Sequence, residues 1–193
     1  MEYSADFAAS RHNLGNLYSN LGQTNKAIEN YREAIRIDNK FFPAMMNLAM
    51  LYNASGNNTE ALDILQKVTV DQPDMGEAWY SIGLLYAEMG DYDESIKSLQ
   101  KAAILLPNRP RVWFNLFRLI EFKNNLPEAE KALDKCIEIE PRNLEFLYAK
   151  IEFLLKQNRN KEVVDIALSI LEYYPDLPDK HDLKAFIDSN KIN

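Results

Sequence analysis

Trp79-Tyr80-Ser81-Ile82-Gly83-Leu84-Leu85-Tyr86-Ala87-Glu88-Met89-Gly90-Asp91-Tyr92-Asp93-Glu94-Ser95 reads as most of one helix, a break, and the start of a second. Trp79, Ile82, Gly83 and Tyr86 recur at three- and four-residue intervals, the spacing of a single helical face, and Gly90-Asp91 interrupts it. Beyond the break, Ile96, Leu99, Ala103 and Leu106 form another amphipathic run. It stops at Pro107, which cannot continue a helix interior. Small residues at Gly83 and Ala102 allow the two helices to approach closely, and Trp79, Tyr86 and Leu99 fill the space around them. No segment shows sustained two-residue alternation, so no sheet is expected.

The same pattern recurs along the chain. Prolines stand at 73, 107, 141 and 175, at 34-residue intervals. Leu14-Gly15, Leu48-Ala49, Ile82-Gly83 and Leu116-Phe117 keep that period, as do Tyr18, Tyr52 and Tyr86, followed by Ile120 and Leu154. Four residues after each of these come Gly22, Gly56, Gly90, Asn124 and Asn158. A period of this length is the mark of a repeat architecture, in which each unit buries its faces mainly on its neighbours. Five units result, at 8–41, 42–75, 76–109, 110–143 and 144–177, with a lead-in at 1–7. Residues 178–193 read as a capping helix and tail, apolar at Leu183, Phe186 and Ile187 and charged opposite.

The 34-residue helix–turn–helix period, with its Leu/Ile, Gly/Ala, Tyr, Gly, Ala and Pro columns, resembles the tetratricopeptide repeat over about 170 of the 193 residues. The resemblance implies an all-α, right-handed superhelical solenoid of five repeats plus a capping helix, whose first helices line a concave groove that binds peptides. Departures fall at the ends. Arg11 and Asn39 replace a large apolar residue and the proline in unit 1, and Phe117 and Ile151 replace the small residue in units 4 and 5, where helix spacing is expected to differ. The opening Ala8-Ala9-Ser10-Arg11-His12-Asn13-Leu14-Gly15-Asn16-Leu17-Tyr18 is similar to the first repeat of tetratricopeptide tails in bacterial multihaem c-type cytochromes. That likeness implies a periplasmic, haem-bearing parent, although no Cys-x-x-Cys-His is present to hold haem in this chain.

Composition bounds the function. Apolar residues make up 47% and charged residues 26%, as in ordinary soluble globular proteins. The formal charge of −7 argues against nucleic acid as a partner, because phosphate neutralisation needs a basic face. No apolar stretch approaches the roughly 20 residues of a bilayer span, and the N-terminus lacks a signal-peptide pattern. The compartment is expected to be cytoplasmic by default, or periplasmic if the chain is the tail of a secreted parent. One cysteine, Cys136, and two histidines, His12 and His181, give no metal-ligand spacing, no disulfide and no nucleophile–base pair, so neither cofactor nor catalytic activity is expected. Cys136 falls in a small-residue packing column and reads as a buried, inert thiol.

A protein or peptide ligand is therefore the expected partner, held along the groove of units 2 to 5. The sixth place of the first helices gives Asn13, Asn47, Ser81, Asn115 and Ala149. This column resembles the asparagine ladder of O-linked N-acetylglucosamine transferase, and carboxamides suit a peptide backbone because each carries a donor and an acceptor. Their amides are expected to face solvent in the free protein. The fifth place gives His12, Met46, Tyr80, Phe114 and Tyr148, an apolar and aromatic stripe with Met50, Leu84 and Phe122 nearby. Arg111 and Arg118, two turns apart, could meet a ligand carboxylate. The carboxylate clamp of cochaperone members of the family is not matched, since His12, Glu77 and Ser81 stand where it needs cations. A second expectation is an assembly module, with uncovered repeat ends stacking into homo-oligomers.

Overall fold

A computed structural model describes residues 2–178 and 180–190. Met1, Asp179 and residues 191–193, which belong to the expected lead-in and capping tail, lie outside the described residues. Eleven helices and no strand occur among the described residues. They fall into two compact units, 1–107 and 108–193.

The first unit holds α1 (Glu2–Asn20), α2 (Thr24–Ile37), α3 (Phe42–Ala54), α4 (Asn58–Asp71), α5 (Gly76–Glu88) and α6 (Tyr92–Leu105). The second holds α7 (Pro110–Phe122), α8 (Leu126–Ile139), α9 (Leu144–Leu155), α10 (Asn160–Tyr173) and α11 (Lys180–Asn190). First helices α3, α5, α7 and α9 begin 34 residues apart, and so do the second helices from α2 to α10. The residues expected as a lead-in are not a separate element: α1 already runs from Glu2.

Every break between a first and a second helix carries its Gly or Asn in the left-handed region, with φ of 69° at Gly22, 78° at Gly56, 81° at Gly90, 61° at Asn124 and 58° at Asn158. Only glycine, and to a lesser degree asparagine, adopts this conformation cheaply, so that column is a backbone requirement. The prolines fall two residues past the ends of α4, α6, α8 and α10, where the helix has already stopped.

Packing within a pair follows from the small-residue column. A Cβ on Gly83 would lie 2.7 Å from Leu99 Cγ, so α5 and α6 touch at van der Waals distance, and the buried Ser95 hydroxyl donates to the Gly83 carbonyl at 2.6 Å. Gly15 meets the Tyr31 ring in the same way between α1 and α2. Successive pairs of the first unit are also tied by polar tips. Tyr52 Oη accepts from Arg32 Nε at 2.9 Å, Tyr86 Oη accepts from Gln66 at 3.2 Å, and Trp79 Nε1 donates to the Pro73 carbonyl at 2.9 Å.

The second unit solves its packing differently. Phe117, in the small-residue column, is buried with its ring centroid 5.8 Å from both Phe114 and Phe153. In the last pair the size assignment is reversed, with Ile151 on α9 and a fully buried Ala167 on α10. Ile187 of α11 is buried in turn, with α11 packed on α10. Cys136 is buried, its Sγ 3.3 Å from the Ala132 carbonyl, and burial pushes its thiol up to about 12, which keeps it protonated and unreactive at neutral pH.

Candidate binding clefts on the first helices

In the first unit a cleft of about 410 Å³ opens between α1 and α3, lined by Asn16, Ser19, Asn20, Tyr31, Asn47, Met50 and Leu51. Two of the expected groove residues, Asn47 and Met50, line it. The Asn47 amide does not simply face solvent, as expected from its column. Asn47 Nδ2 lies 2.9 Å from both Asn16 Oδ1 and His12 Nε2, and Tyr31 Oη donates to the same Asn16 oxygen at 2.7 Å. The cause is neighbourhood: fifth, sixth and ninth places of successive first helices look at each other as well as at the groove. Because Asn47 Nδ2 can only donate, His12 accepts at Nε2 and carries its proton on Nδ1. Asn47 Oδ1 and Asn16 Nδ2 are left as an adjacent acceptor and donor.

Burial of His12 beside Tyr31 and Phe41 lowers its pKa below the usual 6.5. Burial likewise raises Tyr31, partly offset by hydrogen bonds with Asn47 and Ser19. The folded state therefore disfavours the imidazolium while the unfolded chain does not. The stability this group supports is present above about pH 6.5 and is lost as pH falls through the folded value. A nuclear magnetic resonance titration of the His12 ring is expected to show a midpoint below 6.5, and the Asn47 side-chain amide signals should shift with it. A midpoint at or above 6.5 would contradict the network.

The other expected residues of this unit are distributed. Met50 is 62% exposed, whereas Met46 is half-buried against the core and acts as packing. Asn13 is exposed on α1, and Tyr80 and Leu84 are half-buried on α5.

In the second unit a cleft of about 430 Å³ between α7 and α9 is lined by Arg118, Glu121, Phe122, Asn124, Leu126, Phe153, Lys156 and Gln157. Arg118 Nη1 lies 3.6 Å from Glu121, and Lys156 Nζ lies 3.0 Å from the same carboxylate, so both cations are already compensated. Phe122 is 69% exposed at its edge. Phe114 is half-buried, its ring centroid 5.1 Å from Phe146, which makes it as much a core residue as a surface anchor. Asn115 and Tyr148 are half-buried. Arg111 pairs with Glu145 at 2.7 Å.

Sequence reasoning missed the most buried charge. Lys150 occupies the Leu14/Leu48/Ile82/Leu116 column, yet its Nζ lies 2.6 Å from both Glu130 and Asp134 on α8. Arg159 extends the network to Glu130 at 2.7 Å and to Glu162 at 2.6 Å, and its hydrogen bond holds Glu130 below the usual carboxylate range. The five groups pair with one another, so the cluster joins α8, α9 and α10. Among the described residues, no group of three or more His, Cys, Asp or Glu is arranged to hold a metal ion, and no helix is long and apolar enough to cross a membrane.

Helix pairs repeating every 34 residues, with a left-handed residue at each break and a small residue at each crossing of the first unit, define a helical-repeat protein. The chain is a tetratricopeptide-repeat protein: models of the tetratricopeptide repeat match residues 8–41, 44–69 and 76–109. Solved structures share the fold. One is MamA, at 19% identity over 88% of this chain and 93% of that one, with a TM-score of 0.77. A second is PilF of Pseudomonas aeruginosa, at 18% identity over 92% and 81%, with a TM-score of 0.74. A third is YrrB, described as a tetratricopeptide protein with an unusual peptide-binding site, at 19% identity over 94% and 91%, with a TM-score of 0.69. No curated protein matches the chain by sequence. These likenesses concern the repeat fold and do not extend to the multihaem-cytochrome tail.

Proposed function

We propose that the chain is a non-enzymatic interaction scaffold that binds an extended peptide on the first-helix surface, with the α1–α3 cleft reading the peptide backbone. Tetratricopeptide proteins in general bind protein or peptide partners. The observation that carries the reading is the Asn16–Asn47 pair, whose remaining donor and acceptor match the C=O and N–H of a peptide group whatever its side chain. His12 and Tyr31 fix both amides beforehand, so little side-chain entropy is lost on binding. Met50, exposed at the rim, offers an adaptable apolar contact. Tyr80 and Leu84 in the first unit, and Phe114, Arg118, Asn115 and Tyr148 in the second, are the further candidates for ligand contact.

A peptide-library screen on the purified chain supplies the ligand, and calorimetry on variants tests the site. Asn16→Ala and Asn47→Ala should each weaken binding by about 0.5–1.5 kcal/mol, the net worth of a hydrogen bond. Because Asn47 is part of an internal network, its loss should also cost a comparable amount of stability, so circular dichroism must show the variant folded at the assay temperature. Met50→Ala should weaken binding with stability unchanged. Wild-type affinity in all three, together with loss in Val70→Glu or Ile104→Glu on the exposed faces of α4 and α6, would overturn the assignment.

A further inference from the structure

The longest helix, α1, exposes a face that its counterpart α5 buries. Ser10, Leu14 and Leu17 correspond, two repeat lengths on, to Ala78, Ile82 and Leu85 of α5, all buried with α4 packed on that helix. On α1, by contrast, Leu17 is 52% exposed and Phe7 60%, and Leu21, one residue past the end of the helix, is 59% exposed. Phe7, Ser10, Leu14, Leu17 and Leu21 are separated by three, four, three and four residues, which is the a–d–a–d–a seam of a two-stranded coiled coil. Within the helix, from Phe7 to Leu17, the seam runs for about 15 Å at 1.5 Å per residue, and Leu21 follows one residue beyond the end of α1. Its one polar member is already satisfied, since Ser10 Oγ donates to the Asp6 carbonyl of its own helix at 2.8 Å and can be covered without an orphaned hydroxyl.

We propose that two copies of this chain associate through α1, with the two helices parallel and in register. Charge decides both the occupant and the direction. Asp6 falls at the g place and Arg11 at the next e place, five residues on, so in a parallel pair each Asp6 meets the Arg11 of the other copy. The following g and e places are Asn13 and Tyr18, so no like charges oppose one another across the seam. An antiparallel pairing about the centre of the seam sets Asp6 against Asn20 and Arg11 against Tyr18, with no complementarity. Arg11 uses one nitrogen on Asn30 Oδ1 at 3.4 Å, and its fork keeps further donors for a carboxylate. The pairing is isologous and closes as a dimer rather than running on as a filament. It is independent of the peptide-binding reading, since the seam lies outside the α1–α3 cleft.

Sedimentation of the purified chain over a concentration series is expected to show a monomer–dimer equilibrium. Leu17→Glu, at a position exposed in the single chain, should raise the dissociation constant at least about tenfold without altering the circular dichroism melt of the monomer. Asp6→Arg should weaken association, and Asp6→Arg with Arg11→Asp should restore it. Ser10→Cys under a mild thiol oxidant should give a disulfide-linked dimer, because d places meet only in the parallel register and the native Cys136 is buried. A chain that stays monomeric throughout, or a dimer indifferent to Leu17→Glu and to the charge swap, overturns the proposal, whatever other partner covers that face.

Discussion

Gly83→Leu is expected to lower the stability of the first unit by about 1–3 kcal/mol from overpacking alone. The first atom added, Cβ, would already stand 2.7 Å from Leu99 Cγ, 2.8 Å from Leu99 Cδ2 and 3.3 Å from the Leu99 backbone nitrogen. Leu99 is fully buried and has no free rotamer space to retreat into, so the helices themselves must part. Parting them stretches the buried Ser95–Gly83 hydrogen bond, which adds about 0.5–1.5 kcal/mol. Denaturant unfolding followed by circular dichroism measures the sum, and an unchanged midpoint would show that α5 and α6 do not cross at Gly83. Gly90→Ala is the informative comparison. Nothing lies within 4 Å of its Cβ position, so its cost of about 1–2 kcal/mol comes from a left-handed φ of 81° and not from contact.

These two glycines illustrate what was legible in the sequence. The Gly/Asn column and the prolines act through their own backbone, so their spacing alone located the breaks of the helix pairs. Gly83 was legible as a point of close approach, although its nearest neighbour is Leu99, one of the residues expected to fill the space around Gly83 and Ala102. Side chains that answer to a neighbour were not legible. Lys150 sits in an apolar column, and only the acids on α8, Glu130 and Asp134, make its burial tolerable. A signal existed: Glu130 precedes Lys150 by 20 residues, the same offset by which Arg32 reaches Tyr52 and Gln66 reaches Tyr86. Asn47 was placed on the correct helix face, but periodicity gives a direction and not the donors met there. Tyr31 was the available clue, because a tyrosine in a column of leucines brings a hydroxyl that must find a partner, and it finds Asn16.

Phe117→Ala separates the consensus of the repeat from the packing of this chain. The column contains Gly15, Ala49 and Gly83, so restoring a small residue at 117 conforms to the repeat pattern, and changes of that kind commonly stabilise by about 0.5–2 kcal/mol. The structure predicts the opposite sign. Phe117 is buried to 1% exposure, its ring edge-on to Phe153 at 73° and tilted at 39° to Phe114. Phe153 is itself fully buried, and Phe114 is held against Phe146, so these rings cannot all move into the vacated volume. Truncation therefore combines the lost transfer free energy with a residual cavity, a loss of about 3–5 kcal/mol. Hydrogen exchange localises the effect, with protection expected to fall first in α7 and α9 while the amides of residues 1–107 keep theirs. If Phe117→Ala instead raises the unfolding midpoint, α7 closes onto α8 as α5 does onto α6, and the aromatic cluster is filling space that the fold does not require.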